Sequence, residues 1–204
     1  MIKHLESELK NAILWIDQNL QITKQEVQDE RTLIALGCLD LAIEHQAATL
    51  ALYKAGLLGT MFAIQRSLFE GVLRGVWFEY CAMDEEILKY MEGSGTPNFE
   101  KMIIGMEKKL PDELLPLRSY REKVEGPFHH FVHSGYRHII RRHRAGVVGP
   151  NYSDKDIEQV LKHATVLGLQ AAERFATIIG NETVAKQARH RIVAYGNLVV
   201  SNKK

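Results

Sequence analysis

The chain has 204 residues, 46% of them hydrophobic and 25% charged, with a formal net charge of +1. That length suits one well-cored domain, and the balanced charge gives no overall pull toward a polyanion, so any electrostatic function must be local. Cys38 and Cys81 sit in apolar text with neither a second cysteine nor a histidine at ligand spacing, which excludes a disulfide framework and suits buried free thiols in a reducing compartment.

The N-terminal text MIKHLESELK carries acids and lacks the apolar core of a signal peptide. Ile2, Leu5, Leu9, Ala12, Ile13, Ile16 and Leu20 recur every three or four residues. Residues 1–22 therefore read as an amphipathic helix that packs on the core or on a second copy of the chain. A second helix runs through Leu33, Leu36, Leu39, Ile43, Ala47, Leu50 and Tyr53 to Gly56. Asp40, Glu44 and Lys54 interrupt the apolar text there, which argues against a membrane span and leaves the cytoplasm as the expected location. Thr60 is the expected cap of a third, central helix that buries Met61, Phe62, Leu68, Phe69, Val72, Leu73, Val76 and Tyr80. Arg66, Glu70 and Trp77 border its apolar face, half inside and half out. The i,i+4 spacing predicts an Arg66–Glu70 ion pair, and a charge at the edge of so apolar a helix calls for a partner across the fold, here the basic stretch described next.

Asp84 is the expected cap of a short helix to Met91, GSGTPN is a loop, and Pro111 separates helices expected from Phe99 to Lys109 and from Asp112 to Glu125. Gly126 and Pro127 then break the pattern. Residues 128–144, FHHFVHSGYRHIIRRHR, hold five of the nine histidines, four arginines and no acid. On a helical wheel Phe128, Phe131, Val132, Tyr136, Ile139 and Ile140 gather on one side, and His130, His133, Ser134, Arg137, Arg141 and Arg144 on the other. The acid-free run extends from Gly126 to Ser153, so the rest of the chain carries a net charge of about −3. AGVVGPNYS reads as a loop closed by Ser153 as cap, with Asp154 and Asp156 in the first turn of a helix to Ile179. Gly180 stops it and Asn181 opens a last helix. Sustained strand alternation is absent, so the expected fold is all-α: one helical-bundle domain over residues 1–204, built of long antiparallel helices.

The basic face suits a phosphate or a nucleic-acid backbone. His129 and His133 share an i,i+4 spacing that could hold a metal, but no glutamate is adjacent and the arginines would repel a cation, so no metal or other cofactor is expected. RNA cleavage by the 2′-hydroxyl needs a group to take its proton, a group to protonate the leaving oxygen and a cation for the phosphorane. His133 with Arg137 and Arg141 could supply these without a metal. His130, Ser134, Arg137, Arg141 and Arg144 would contact the anion. In the plainer alternative the histidines cap carbonyls or bridge subunits and the arginines solubilise a surface helix. His129 and His143, toward the apolar side of the wheel, fit that alternative best.

The texts RSLFEGVLRGVWFEYCA, FVHSG followed by IIRR, and VGPNYSD resemble a family of uncharacterised bacterial all-helical proteins with an Arg-x3-Glu helix and a later His-Ser/Thr-Gly segment. That family is similar to the wider HEPN class of helical bundles, many of them RNases of toxin–antitoxin and phage-defence systems. The resemblance implies a HEPN-like fold, a homodimer with a shared cleft, a cognate protein partner, and a metal-independent endoribonuclease using His133, Arg137, Arg66 and Glu70. The HEPN signature, an arginine followed a few residues later by a histidine, is matched by Arg137, His138 and His143. On an unbroken helix Arg137 and His143 stand about 120° apart, so they converge only across a break or a second chain. Three readings stay open: the ribonuclease, a non-catalytic module that binds an anion or a partner, and a structural oligomer.

Overall fold

The computed structural model describes residues 1–20, 29–95, 98–110, 136–144 and 146–201; of Arg137, His138 and residues 197–201 it describes the backbone only. The elements are α1 (Ile2–Asn19), α2 (Glu30–Lys54), α3 (Leu58–Tyr80), α4 (Asp84–Met91), α5 (Phe99–Lys109), a single turn α6 (Tyr136–Ile139), a 3-10 turn (Ile140–Arg142), β1 (His143–Arg144), β2 (Val147–Val148), α7 (Asp154–Ile178) and α8 (Glu182–Ser201). The protein is all-α, and the described residues include one two-stranded hairpin. The helix expected over Asp112–Glu125 lies outside the described residues.

Side chains start the helices where the sequence places acceptors. Asp29 accepts from Thr32 N at 2.8 Å to open α2, and Asn98 accepts from Lys101 N at 2.8 Å to open α5. Two expected caps are different. Thr60 lies inside α3, which begins at Leu58 because Met61 N already bonds Leu57 O at 3.0 Å. Asp84 is the first residue of α4 and takes an ion pair from Arg31, whose guanidinium also donates to Phe78 O and Ala82 O. One arginine thus ties the start of α2 to the end of α3.

Helices α2 and α3 lie antiparallel and form the most extensive contact of the bundle, with α7 packed across both and α1 and α8 packed on α7. The close approach of α2 and α3 depends on glycine. A Cβ at Gly71 would stand 2.9 Å from Cys38 O, and one at Gly75 would stand 2.6 Å from Leu39 Cγ. On α7, Gly168 leaves room for the buried side chain of Gln46. Gln65 is also buried, and donates to Thr49 Oγ1 and Met61 O, both at 3.0 Å.

Trp77, expected at the border of α3, is only 2% exposed, because α5 packs over it, with Gly105 against its indole. Leu5, Leu9, Ala12, Trp15 and Ile16 of α1 are buried within the chain, so the stripe that suggested a contact with a second copy already packs on α7. Helix α2 is long and apolar enough to cross a membrane by length and composition, with a mean hydropathy of 1.3 over its best window. A core helix passes the same test, and Ala35, Leu36, Leu39 and Ala42 of α2 are buried in this core.

Candidate anion-binding site

The basic stretch does not run as a helix to Arg144. Helix α6 ends at Ile139, a 3-10 turn follows, and His143 and Arg144 are extended and paired antiparallel with Val148 and Val147. The tight connection uses Gly146 at φ +81°, a conformation that glycine adopts without Cβ strain. The physical reason for the break lies in what the returning strand offers. Gly149 N donates to Arg142 O at 2.7 Å, Asn151 N to Arg141 O at 2.8 Å, and Asn151 Nδ2 to His143 O at 3.3 Å. These bonds satisfy carbonyls that would otherwise need further helix. Ile139 and Ile140, expected on the buried side of a helix, are 50% and 38% exposed.

The turn is fixed to the start of α7. Ser153 caps that helix, with Asp156 N donating to Ser153 Oγ at 3.1 Å and Ser153 Oγ donating to Asp156 Oδ2 at 2.8 Å. The Arg141 guanidinium meets the same carboxylate from the other side, at 3.1 Å from Oδ1 and 3.4 Å from Oδ2. Burial pushes the Asp156 carboxyl up, but the hydrogen bonds from Arg141 and Ser153 and the charge of Arg141 outweigh it and hold the group below the usual carboxylate range. Arg141, expected among the anion contacts, thus also anchors the segment.

Tyr152 joins this segment to α3. Its ring stacks on Phe62 at 4.8 Å between centroids. Burial raises the pKa of its hydroxyl against the nearby charges of Arg142 and Arg141. Phe62 stands one helical turn before Arg66, and Arg66, Glu70 and Arg74 continue the same i,i+4 row. Glu70 is held between the two arginines, with Oε1 2.7 Å from Arg66 Nε and Oε2 3.5 Å from Arg74 Nη2. Their side chains are 31%, 22% and 21% exposed in the order Arg66, Glu70, Arg74, so the expected ion pair is present and half-buried, and it is one half of a ladder. Arg74 also lies near Cys38, whose thiol burial pushes up to about 11 in spite of that charge.

His143 and Arg144 are exposed on β1, Arg142 is half-buried beside Tyr152, and Tyr136 is 75% exposed. Arg137 and His138 are on α6, where only the backbone is described; His129, His130, His133 and Ser134 lie outside the described residues. Among the described residues, no group of three or more His, Cys, Asp or Glu side chains is placed to hold a metal ion. Asp156 and Tyr152 were missed as site residues. The Ser-x-x-Asp spacing pointed to a cap, but nothing in it marks Arg141 as the second partner of that carboxylate.

The model of a family described as a family of unknown function, DUF6988, matches residues 39–200. No curated protein and no solved structure matches the chain.

Proposed function

We propose, from the premise that the chain belongs to the DUF6988 family of unknown function, that it is a HEPN-like helical module that binds the backbone of single-stranded RNA through its basic hairpin. The observation that carries this reading is the placement of exposed Tyr136, His143 and Arg144 on an acid-free segment anchored by the Arg141–Asp156 pair. Single-stranded RNA is held by cations along its phosphates and by aromatic faces on which bases stack. Anchoring matters because side chains fixed before binding lose less freedom on binding. The reading includes a homodimer, supported by the exposed Ile139, Val147 and Val148 beside the basic residues, and a cytoplasmic location.

Fluorescence anisotropy with a labelled single-stranded RNA across a salt titration tests it. The parent should bind with a steep salt dependence, and Arg142→Gln with Arg144→Gln should weaken binding and flatten the slope by roughly 0.7 per lost phosphate contact. Tyr136→Ala should cost about 1–3 kcal/mol if a base stacks there. Equal binding by parent and double variant at every salt concentration would remove the reading.

A metal-independent endoribonuclease of a bacterial defence or toxin–antitoxin system, with a cognate protein partner, is the second reading. It is favoured by the break between Ile139 and His143, which lifts the obstacle that an unbroken helix sets between Arg137 and His143. Here His133 and, across the break, His143 are the two proton-transfer groups, Arg137 is the phosphorane contact, and Arg66 and Glu70 support them. Cleavage and growth-arrest assays should then show activity that His133→Ala and Arg137→Ala abolish, with RNA binding largely kept in His133→Ala.

A further inference from the structure

Away from the basic hairpin, α1, α7 and α8 enclose a hollow between them. It has a volume of about 110 Å³ and is lined by Glu8, Asn11, Thr165, Leu169, Arg191 and Tyr195, among others. Sites for drug-sized ligands occupy about 300–1,000 Å³, so an occupant must be small. Glu8 and Arg191 face this hollow with opposite charges, yet they form no ion pair with each other or with any other described residue. The Arg191 guanidinium is instead stacked on Trp15, 4.7 Å from the ring centroid. Stacking fixes the guanidinium by its face and leaves the N–H groups of its edge for a ligand.

The Tyr195 side is polar and buried. Tyr195 is 4% exposed, and its hydroxyl makes no hydrogen bond among the described residues. Thr165 is near it; its hydroxyl gives its proton to Leu161 O at 2.9 Å and keeps lone pairs able to accept, but its oxygen stands outside hydrogen-bond geometry from the Tyr195 hydroxyl. Burial pushes the Tyr195 hydroxyl up to about 12, Thr165 tempers the shift and the charge of Glu8 adds to it, so at neutral pH the group is an uncharged donor and acceptor. Arg191 is exposed and Glu8 half-buried, so both stay solvated; the buried Tyr195 hydroxyl without a partner is the group that is costly to leave unsatisfied.

We propose that this hollow binds a small α-amino acid as its zwitterion, with the carboxylate on Arg191, the ammonium on Glu8 and the polar remainder toward Tyr195. A simple anion would satisfy Arg191 alone, and a simple amine would satisfy Glu8 alone. A ligand carrying both charges satisfies both. Glu8, Asn11 and Trp15 precede residues 39–200, which the family model matches, while Thr165, Arg191 and Tyr195 lie within them. The site is independent of the basic hairpin.

The test is calorimetric titration of the full chain with glycine, L-alanine and L-serine, with acetate and methylammonium as controls. At least one zwitterion should bind more tightly than both controls. Arg191→Gln and Glu8→Gln should each weaken that binding about tenfold or more, with an unchanged helical circular dichroism spectrum. Tyr195→Phe separates a ligand role from a packing role: it should weaken binding while leaving the thermal midpoint unchanged or higher, since it removes a buried hydroxyl that has no protein partner. Absence of binding by all three amino acids, acetate binding as tightly as serine, or unchanged affinity in both charge variants would each overturn the proposal.

Discussion

Ser153 and Asp156 show how one residue pair serves both a helix end and a neighbouring segment. Ser153→Ala should lower stability by about 1 kcal/mol in urea unfolding, the ordinary loss of an N-cap. Asp156 adds a pH dependence whose sign follows from its depressed folded pKa. Its contribution is present above the unfolded value of 3.8 and is lost as pH falls through the lower folded value. Hydrogen-exchange protection of the Gly149 and Asn151 amides, which bond Arg142 O and Arg141 O, should therefore drop on acidification below about pH 4. In Asp156→Ala that protection should already be low at neutral pH, and the acid step should vanish. A hairpin equally protected in the variant would show that the main-chain bonds hold it without Arg141.

Between elements, the decisive contacts are those in which α3 meets α2. Gly71→Ala gains helix propensity of about 1 kcal/mol but drives a methyl to 2.9 Å from the backbone oxygen of Cys38, which a rotamer change cannot relieve. The clash should win, with a net loss of about 1–3 kcal/mol in denaturant unfolding; a stabilised variant would show that the two helices can slide apart at no cost. Glu70→Gln leaves Arg66 and Arg74 half-buried without the carboxylate between them, and should cost about 1–2 kcal/mol. If the same change also weakens RNA binding, the ladder supports the basic segment as well as α3.

For the whole molecule the net charge of +1 matters less than its distribution, with four arginines and no acid between Gly126 and Ser153. On the proposed function, RNA affinity should therefore fall steeply with salt. Pairing of two copies would use a face other than the buried stripe of α1, and the exposed Val147 and Val148 are the surface to test. Light scattering at micromolar concentration should give twice 23.2 kDa for the parent, and Val148→Lys should return it to the monomer mass.

Periodicity and the acceptors near helix ends determined the all-α class, most of the buried faces of α1 and α3, and the boundaries of α5 and α7; Trp15 and Trp77 are buried and Tyr80 only half-buried by what packs on them. The Arg66–Glu70 pair was legible for the same reason, being local to one helix turn. Only the tertiary structure decided the end of the basic helix. His143 and Arg144 read as helical in isolation, and become a strand because Gly149 and Asn151 return to bond Arg142 O and Arg141 O. Likewise Arg141 meets Asp156 across the hairpin that lies between them, and Glu8 and Tyr195 are brought to one hollow by helices distant in the chain. A helical pattern records which side of each residue is apolar, while the identity of the side chain across the gap depends on how the helices are packed.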